Sequence, residues 1–257
     1  MSSGQELVVG DDLWRRRLWR RPPAARPVRG GIEAACALTL AYSYVVNRLV
    51  PEAWYVPANL TAAAGFVALA RGTGATWTDL GLRSDRVGRG LRVGLTAAVP
   101  IAAVVAIGIV VPETRRYFAD QRVMVGRGTA LFDTLVRIPL GTAFCEELIF
   151  RGAILGMLLR RRTPIEATAI SALLFGLWHV FPTLDTLHLN PVGTYVEGDW
   201  IRTTGAVAGA ICVTAAAGLG FAWLRLRANS VVASMIAHGA LNVAAFVGGR
   251  AVVTIMR

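Results

Sequence analysis

Two acidic residues and one basic residue stand close together inside an apolar stretch of the chain. Glu146 and Glu147 are adjacent, and Arg151 follows four residues after Glu147. On a helix, residues four apart share a face, so Glu147 and Arg151 can pair, whereas Glu146 points about 100° away from Glu147 and has no such partner. An unpaired carboxylate in a low-dielectric site suits a general base. Structural pairing of both glutamates with other helices is the competing interpretation.

Two further pairs with the same spacing carry nitrogen side chains. Phe175 and His179 are four residues apart, and so are His238 and Asn242. Either pair could serve only as hydrogen-bonding groups between helices. The three places lie in separate apolar stretches, however, as convergence on one internal pocket requires. A carboxylate that activates water, an imidazole that assists it, and an imidazole with an amide that bind an oxyanion together form a hydrolase set.

Membrane-spanning helices are the elements that must position these residues. The chain of 257 residues is 54% hydrophobic and only 17% charged, against about 25% charged residues in a soluble domain. Apolar blocks of about 17–22 residues, long enough to cross the hydrocarbon core, recur along it. They lie near residues 31–50, 54–70, 91–111, 138–159, 165–181, 203–224 and 229–247. We therefore predict an all-α transmembrane bundle of about seven spans, within a range of six to eight.

The polar segments divide the chain into regions. Residues 1–30 predict a basic, proline-containing cytoplasmic tail, and residues 31–112 hold the N-terminal spans. Residues 113–137 mix charged and apolar side chains, which is typical of an amphipathic or re-entrant segment at the membrane interface. Residues 138–247 contain all three pairs and form the predicted catalytic core. A short C-terminal tail is expected at 248–257.

The arginines indicate a topology. They cluster in the N-terminal tail, in the loop 71–92, and after the fourth and sixth spans, whereas the loop 182–202 carries three acidic residues and one arginine. By the positive-inside rule the N-terminus is cytoplasmic and the loop 182–202 is outside. Arginines between 115 and 137 depart from this pattern. The net charge of +11 is thus attributed to topology and to anionic lipid, and not to nucleic acid.

Several other reactive or aromatic side chains are expected to be inert. The chain has three cysteines, Cys36, Cys145 and Cys212. All three lie in apolar stretches without a CxxC spacing, so we predict small buried groups and no disulfide or cysteine metal site. The thiol of Cys145 is expected to be unreactive in such a setting. His188 is predicted to be a solvated loop residue, and Trp178 and Trp200 to be anchors at the membrane interface.

The three motifs, taken in chain order, resemble those of one known family. They read EExxxR at 146–151, FxxxH at 175–179 and HxxxN at 238–242. This ordered set is similar to that of the CAAX protease and bacteriocin-processing family (CPBP, also called Abi) of intramembrane endopeptidases. The resemblance covers roughly residues 130–245.

The resemblance implies a role for each motif residue. Glu146 would activate the attacking water with the assistance of His179, and His238 and Asn242 would stabilise the oxyanion. The other motif residues would hold the site in place: Glu147, Arg151 and Phe175.

The resemblance also raises the question of zinc. Glu146, His179 and His238 would form a three-ligand set with an open position. The chain has no HExxH motif, however, and with Glu146 as a ligand the base would have to be Glu147, which Arg151 is expected to occupy. We therefore favour water activated without a metal or other cofactor, and keep a zinc-dependent protease as the alternative.

The leading hypothesis is an integral, multi-pass peptidase that cleaves a membrane-associated peptide or protein tail. Its partners would be the lipid bilayer and a membrane-tethered substrate. The resemblance suggests prenylated CAAX tails, bacteriocin maturation or self-immunity, and the Ala- and Arg-rich composition suggests a bacterial plasma membrane. One alternative is a non-catalytic membrane immunity or binding protein that retains the motif residues as packing. A transporter with a proton relay is disfavoured because no internal repeat is visible.

Overall fold

The computed structural model describes residues 30–189, 192–196 and 198–255, and the predicted basic tail lies outside these ranges except for its last residue. Every regular element in the described ranges is a helix, which confirms the predicted all-helical fold. We number the long helices in chain order: α1 Gly31–Arg48, α2 Tyr55–Gly72, α3 Val87–Val110, α4 residues 127–159, α5 Pro164–Trp178, α6 Trp200–Ala228 and α7 Val232–Ile255.

Five helical stretches of the described chain are long and apolar enough to cross a membrane. They are Glu52–Gly72, Ser84–Val110, Pro164–Leu189, Trp200–Ala228 and Val232–Ile255. Helix α1 is not among them; it carries Glu33 in its first turn and ends on Arg48. Nor is α4, which holds three charged residues within six positions near its middle. The protein is therefore a multi-span helical protein with five candidate spans, and the predicted count of about seven stays a prediction.

Side-chain caps fix where α5 and α6 begin. The Thr163 hydroxyl accepts the backbone N–H of Glu166, and the Glu166 carboxylate accepts the backbone N–H of Thr163 at 3.0 Å. This reciprocal cap and Pro164 at the first position set the start of α5. Asp199 caps α6 by accepting two backbone N–H groups. Asn229, at φ 51°, ends α6 in the left-handed conformation.

Helix α4 is irregular around the two glutamates. It is α-helical over Arg127–Phe132, Cys145–Glu147 and Leu155–Leu159, and π-helical over Asp133–Phe144 and Leu148–Ile154. Such wide turns are uncommon and often occur at functional sites. Every residue from 145 to 158 is buried, so the other helices surround this part of α4.

The predicted interfacial segment 113–137 is divided between two kinds of structure. Short helical turns at Pro112–Arg115, Arg116–Phe118 and Gln121–Val123 follow α3, and α4 has already begun by Arg127. The last helix is longer than expected, because α7 continues to Ile255 through most of the predicted tail at 248–257.

The connection between α2 and α3 closes one end of the bundle. Leu80 is completely buried, and the carbonyl of Asp79 accepts a hydrogen bond from the buried Arg225 guanidinium of α6. The carbonyl of Gly81 accepts the backbone N–H of Val231 at 3.0 Å. This connection therefore covers the turn between α6 and α7 and fixes the level at which α7 begins.

Candidate active site

Glu147 and Arg151 form a completely buried ion pair on α4. Arg151 Nη1 lies 3.0 Å from Glu147 Oε1, and neither side chain is exposed. The same carboxylate oxygen accepts a hydrogen bond from His238 Nδ1 of α7 at 3.0 Å. Arg151 Nη2 donates to the carbonyl of Gly218 of α6 at 3.1 Å, and a Cβ at Gly218 would lie 3.0 Å from that nitrogen. The pair expected from the spacing therefore forms, and it connects three helices.

Three aromatic rings enclose the Arg151 guanidinium. They are Phe175, Phe221 and Phe150, with centroids 4.1, 5.3 and 5.8 Å from its central carbon. Ring faces attract a desolvated cation, so this wall offsets part of the cost of burying Arg151. Phe221 also stacks on His238, with centroids 4.8 Å apart and planes 18° apart. Phe175 meets His238 edge-on at 5.7 Å. The aromatic wall therefore orients the imidazole as well as the guanidinium.

Glu146 is buried beside this cluster, with one carboxylate oxygen engaged and the other free. Its Oε1 accepts a hydrogen bond from the indole Nε1 of Trp178 at 3.2 Å. Its Oε2 is buried and has no hydrogen-bond partner within the described residues. His238 Nε2 lies 3.9 Å from that oxygen, which is beyond direct hydrogen-bonding distance. Oε2 of Glu147 also lacks a hydrogen-bond partner within the described residues. The two glutamates nevertheless differ as their spacing predicts, because Glu147 is paired with Arg151, whereas Glu146 is not and its free oxygen faces an imidazole.

His179 stands where α5 ends. Its Nδ1 lies 2.7 Å from the carbonyl of Phe175, and because a carbonyl only accepts, Nδ1 must carry a hydrogen. The Nε2 of a neutral ring is then left with its lone pair available. Phe175 also meets the imidazole edge-on at 4.7 Å, and Glu146 and His238 are close enough to act on it electrostatically. His179 therefore belongs to the same cluster.

Asn242 is the motif residue that the structure does not bring into contact with the others. It lies one turn after His238 on α7 and is half-buried. No hydrogen bond to its amide is formed within the described part of the chain. The structure thus joins six of the seven motif residues by contact or close approach and leaves Asn242 on the neighbouring turn.

The prediction that Trp178 is a membrane-interface anchor is wrong. The side chain is 3% exposed and holds Glu146 from α5. Helix α1 supports this residue in turn, because Ser43 Oγ donates to the Trp178 carbonyl at 2.7 Å and the Tyr42 ring lies 6.0 Å from the indole. Trp200, 77% exposed, retains the predicted character. Its position next to His179 was the only sequence signal that could have identified Trp178.

The cysteines only partly follow the prediction of burial. Cys145 is buried, and its thiol donates to the carbonyl of Leu140 at 3.0 Å. Cys36 is half-buried and Cys212 is exposed, the latter because it lies on the outward side of α6. His188 is exposed as predicted.

The donor atoms available to a metal ion are limited. The described residues include no group of three or more His, Cys, Asp or Glu side chains arranged to hold one. In the alternative zinc set, Glu146 Oε2 and His238 Nε2 face each other. His179 could contribute only Nε2, because its Nδ1 is bonded to a carbonyl.

Comparison with known proteins bears on the part of the chain that contains this cluster. Residues 129–244 match the family model described as type II CAAX prenyl endopeptidase Rce1-like. The comparisons with curated proteins and with solved structures gave no match. The matched segment runs from the start of α4 into α7 and includes all three motifs. The resemblance drawn from the motifs is therefore confirmed: residues 129–244 belong to the Rce1-like family of CAAX prenyl endopeptidases, and the protein is a peptidase of the membrane.

Proposed function

We propose that this protein hydrolyses a peptide bond of a membrane-associated peptide or protein tail by means of a water molecule that Glu146 activates. The observation that carries the proposal is the buried, unpartnered Oε2 of Glu146, 3.9 Å from His238 Nε2. A distance of this size between two polar atoms is suited to a bridging water molecule. Trp178 fixes the other carboxylate oxygen, so that Oε2 stays directed at the water. In the first step Oε2 takes a proton as the water oxygen attacks the scissile carbonyl carbon.

His238 is proposed to stabilise the oxyanion that this attack creates. Its Nδ1 donates to Glu147, so a donor at Nε2 requires a doubly protonated ring. The buried cluster balances that charge, because Glu146 and Glu147 then face two cations, Arg151 and the imidazolium. Asn242, one turn further along α7, would add an amide N–H to the same oxygen.

Collapse of the tetrahedral intermediate completes the proposed reaction. The C–N bond breaks, and the leaving amine takes up a proton that Glu146 received from the water. His179 assists through Nε2, the nitrogen that its bond to the Phe175 carbonyl leaves available. Glu147, Arg151 and Phe175 position these groups without touching the reacting atoms.

We further propose that α1 and α4 cross the bilayer together with the five candidate spans. At 1.5 Å per residue α1 is about 27 Å long and α4 about 50 Å, so each is close to or above the length of the hydrocarbon core. The charges of α4 do not oppose insertion, because Arg151 and Glu147 are paired and enclosed by other helices. Seven spans result.

The substrate is proposed as a peptide or protein tail held at the membrane. The family description names prenylated CAAX ends, and this chain could act on them or on unprenylated tails. A test would use purified protein in detergent and matched sets of lipid-tethered peptides with and without a prenyl group. Wild type would be compared with Glu146→Gln, which keeps the shape but not the base, and with Glu113→Gln, an exposed control.

We expect Glu146→Gln to lower kcat by about 10²–10⁴-fold, the usual contribution of a general base, and Glu113→Gln to have no effect. Equal cleavage by wild type and Glu146→Gln would eliminate the proposed site. Loss of activity with a chelator, restored by zinc, would instead assign Glu146, His179 and His238 to a metal. Absence of cleavage across the set would favour a non-catalytic immunity or binding protein.

A further inference from the structure

An apolar groove with a basic rim lies between α3, α6 and α7. Its volume is about 740 Å³, within the range of small-molecule sites. Its apolar wall includes Pro100, Ile101, Ala217, Phe221, Leu224 and Leu241. The rim at one end is formed by Arg92 and Arg227. The groove therefore combines a long apolar surface with positive charge at a single end.

The two rim arginines are exposed and line the same groove. Arg92 lies near the start of α3 and Arg227 near the end of α6, and Arg89 Nη2 joins these helices by donating to the carbonyl of Arg227 at 2.8 Å. Arg227 also lies over the ring of Trp223 at 5.7 Å. Neither rim arginine forms an ion pair with an acidic side chain of the described chain. Two guanidinium groups without acidic partners are well suited to an anion such as a phosphate.

The depth of the groove matches one leaflet. From Arg92 to Ile101 and from Arg227 to Ala217 the helices rise about 15 Å, at 1.5 Å per residue. Half of the hydrocarbon core of a bilayer is also about 15 Å thick. An acyl chain whose headgroup lies at the arginine rim would therefore pass Phe221, about 9 Å from Arg227 along α6, and reach Ala217 and Ile101 near the bilayer midplane.

We infer that this groove binds one anionic phospholipid from the leaflet at the arginine rim. Its phosphate lies between Arg92 and Arg227, and one acyl chain follows the apolar wall past Phe221. Because Phe221 stacks on His238, that chain packs against the ring that supports the imidazole. Binding at this site does not depend on any peptidase activity.

The charge at the rim can be tested by lipid binding to the full-length protein. Phosphatidylglycerol and phosphatidylcholine with identical acyl chains would be compared by native mass spectrometry. We expect wild type to prefer phosphatidylglycerol, and Arg92→Gln and Arg227→Gln each to weaken its binding by roughly fivefold, the contribution of one basic residue at an anionic surface. The double variant should lose the preference. Arg162→Gln, an exposed arginine that does not line the groove, should keep it.

The apolar wall can be tested by filling it. Gly220 lines the groove and has open space around it, so Gly220→Leu should block both lipids without a clash. Gly209→Leu, also at an open position of α6 but outside the groove, should bind them normally. Equal binding of the two lipids by wild type would overturn the inference, as would a preference that survives in the double arginine variant. If Gly220→Leu lost binding while the arginine variants kept it, the groove would bind an acyl chain without recognising the charge of the headgroup. The inference of an anionic lipid would then be wrong.

Discussion

The reactivity proposed for Glu146 depends on contacts that its neighbours make. Glu147 takes Arg151 and the Nδ1 of His238 as partners, so Glu146 is left facing only the Nε2 of His238, at 3.9 Å. Trp178 satisfies only one oxygen of Glu146. Both glutamates leave one oxygen without a hydrogen-bond partner within the described residues. They differ in function because Glu147 is paired with a cation, whereas the free oxygen of Glu146 faces His238 Nε2.

Removal of the Trp178 donor should impair catalysis more than folding. Trp178→Phe keeps an aromatic ring but leaves Glu146 Oε1 without its hydrogen bond, so the carboxylate can rotate away from the water. We expect kcat to fall by about tenfold with KM nearly unchanged, as for an interaction that matters in the transition state. Steady-state kinetics on a cleaved lipid-tethered peptide would measure this, with the exposed Trp200→Phe as the matched control. A change in KM alone would contradict a role in orienting Glu146.

Removal of the cation from the buried pair should unfold the protein more readily. Arg151→Met keeps much of the volume but leaves Glu147 without its cation in an apolar interior. We expect the free energy of unfolding to drop by about 3–5 kcal/mol, measured by denaturant titration in detergent micelles. Arg162→Met, at an exposed position, should change it little. A loss below about 1 kcal/mol would show that the pair does not stabilise the fold.

At the residue scale the sequence predicts contacts within a helix better than contacts between helices. The spacing of Glu147 and Arg151 gave their pairing, since both lie on α4. The contact of Trp178 with Glu146 joins helices 32 positions apart, and that of Ser43 with Trp178 spans 135 positions. No periodicity within one apolar stretch contains that information.

At the element scale, the end of α5 shows how a helix terminus is satisfied by another helix. The predicted span ran through 165–181, yet α5 stops at Trp178 and a new helix, Val180–Thr186, follows. Pro182 has no N–H to offer the carbonyl of Trp178 four residues earlier. The hydroxyl of Ser43 from α1 donates to that carbonyl instead. Pro182 thus explains why α5 breaks at this point. The hydrogen bond from Ser43 of α1 explains why the break can be buried inside the bundle.

Ser43→Ala should therefore be costly only while Pro182 is present. The variant leaves a buried carbonyl unsatisfied, for which we expect a loss of about 1–3 kcal/mol in the free energy of unfolding. In a Pro182→Ala background the backbone N–H of residue 182 becomes available, and the same substitution should cost much less. A double-mutant cycle measures the difference, with the exposed Ser84→Ala as a control. Equal costs in both backgrounds would exclude this explanation of the break.

At the scale of the whole molecule, the bundle brings together residues that lie at different distances from the starts of their helices. His179 lies about 22 Å along α5 and His238 only about 9 Å along α7, counted at 1.5 Å per residue. With the N-terminus in the cytoplasm, a count of spans alone predicts that Glu146 and His179 lie nearer the outer half of the bilayer than His238. Glu146 Oε2 and His238 Nε2 are nevertheless 3.9 Å apart. The turn before α7 is covered by the connection between α2 and α3, and its Val231 is completely buried. Helix α7 therefore begins deeper in the bundle than α5 does. The lengths of the spans in the sequence do not contain this information.

The orientation and the number of spans can be tested together by cysteine labelling. Ser84 and His188 are exposed, and α3, α4 and α5 lie between them. If all three helices cross, the two positions are on opposite sides of the membrane, and the positive-inside rule places Ser84 in the cytoplasm. In a background with the native cysteines changed to alanine, an impermeant maleimide should label His188→Cys in intact cells, and Ser84→Cys only after the membrane is opened. The reverse pattern would invert the orientation. Labelling of both positions in intact cells, or of neither, would mean that α4 does not cross, because only an odd number of crossings separates them.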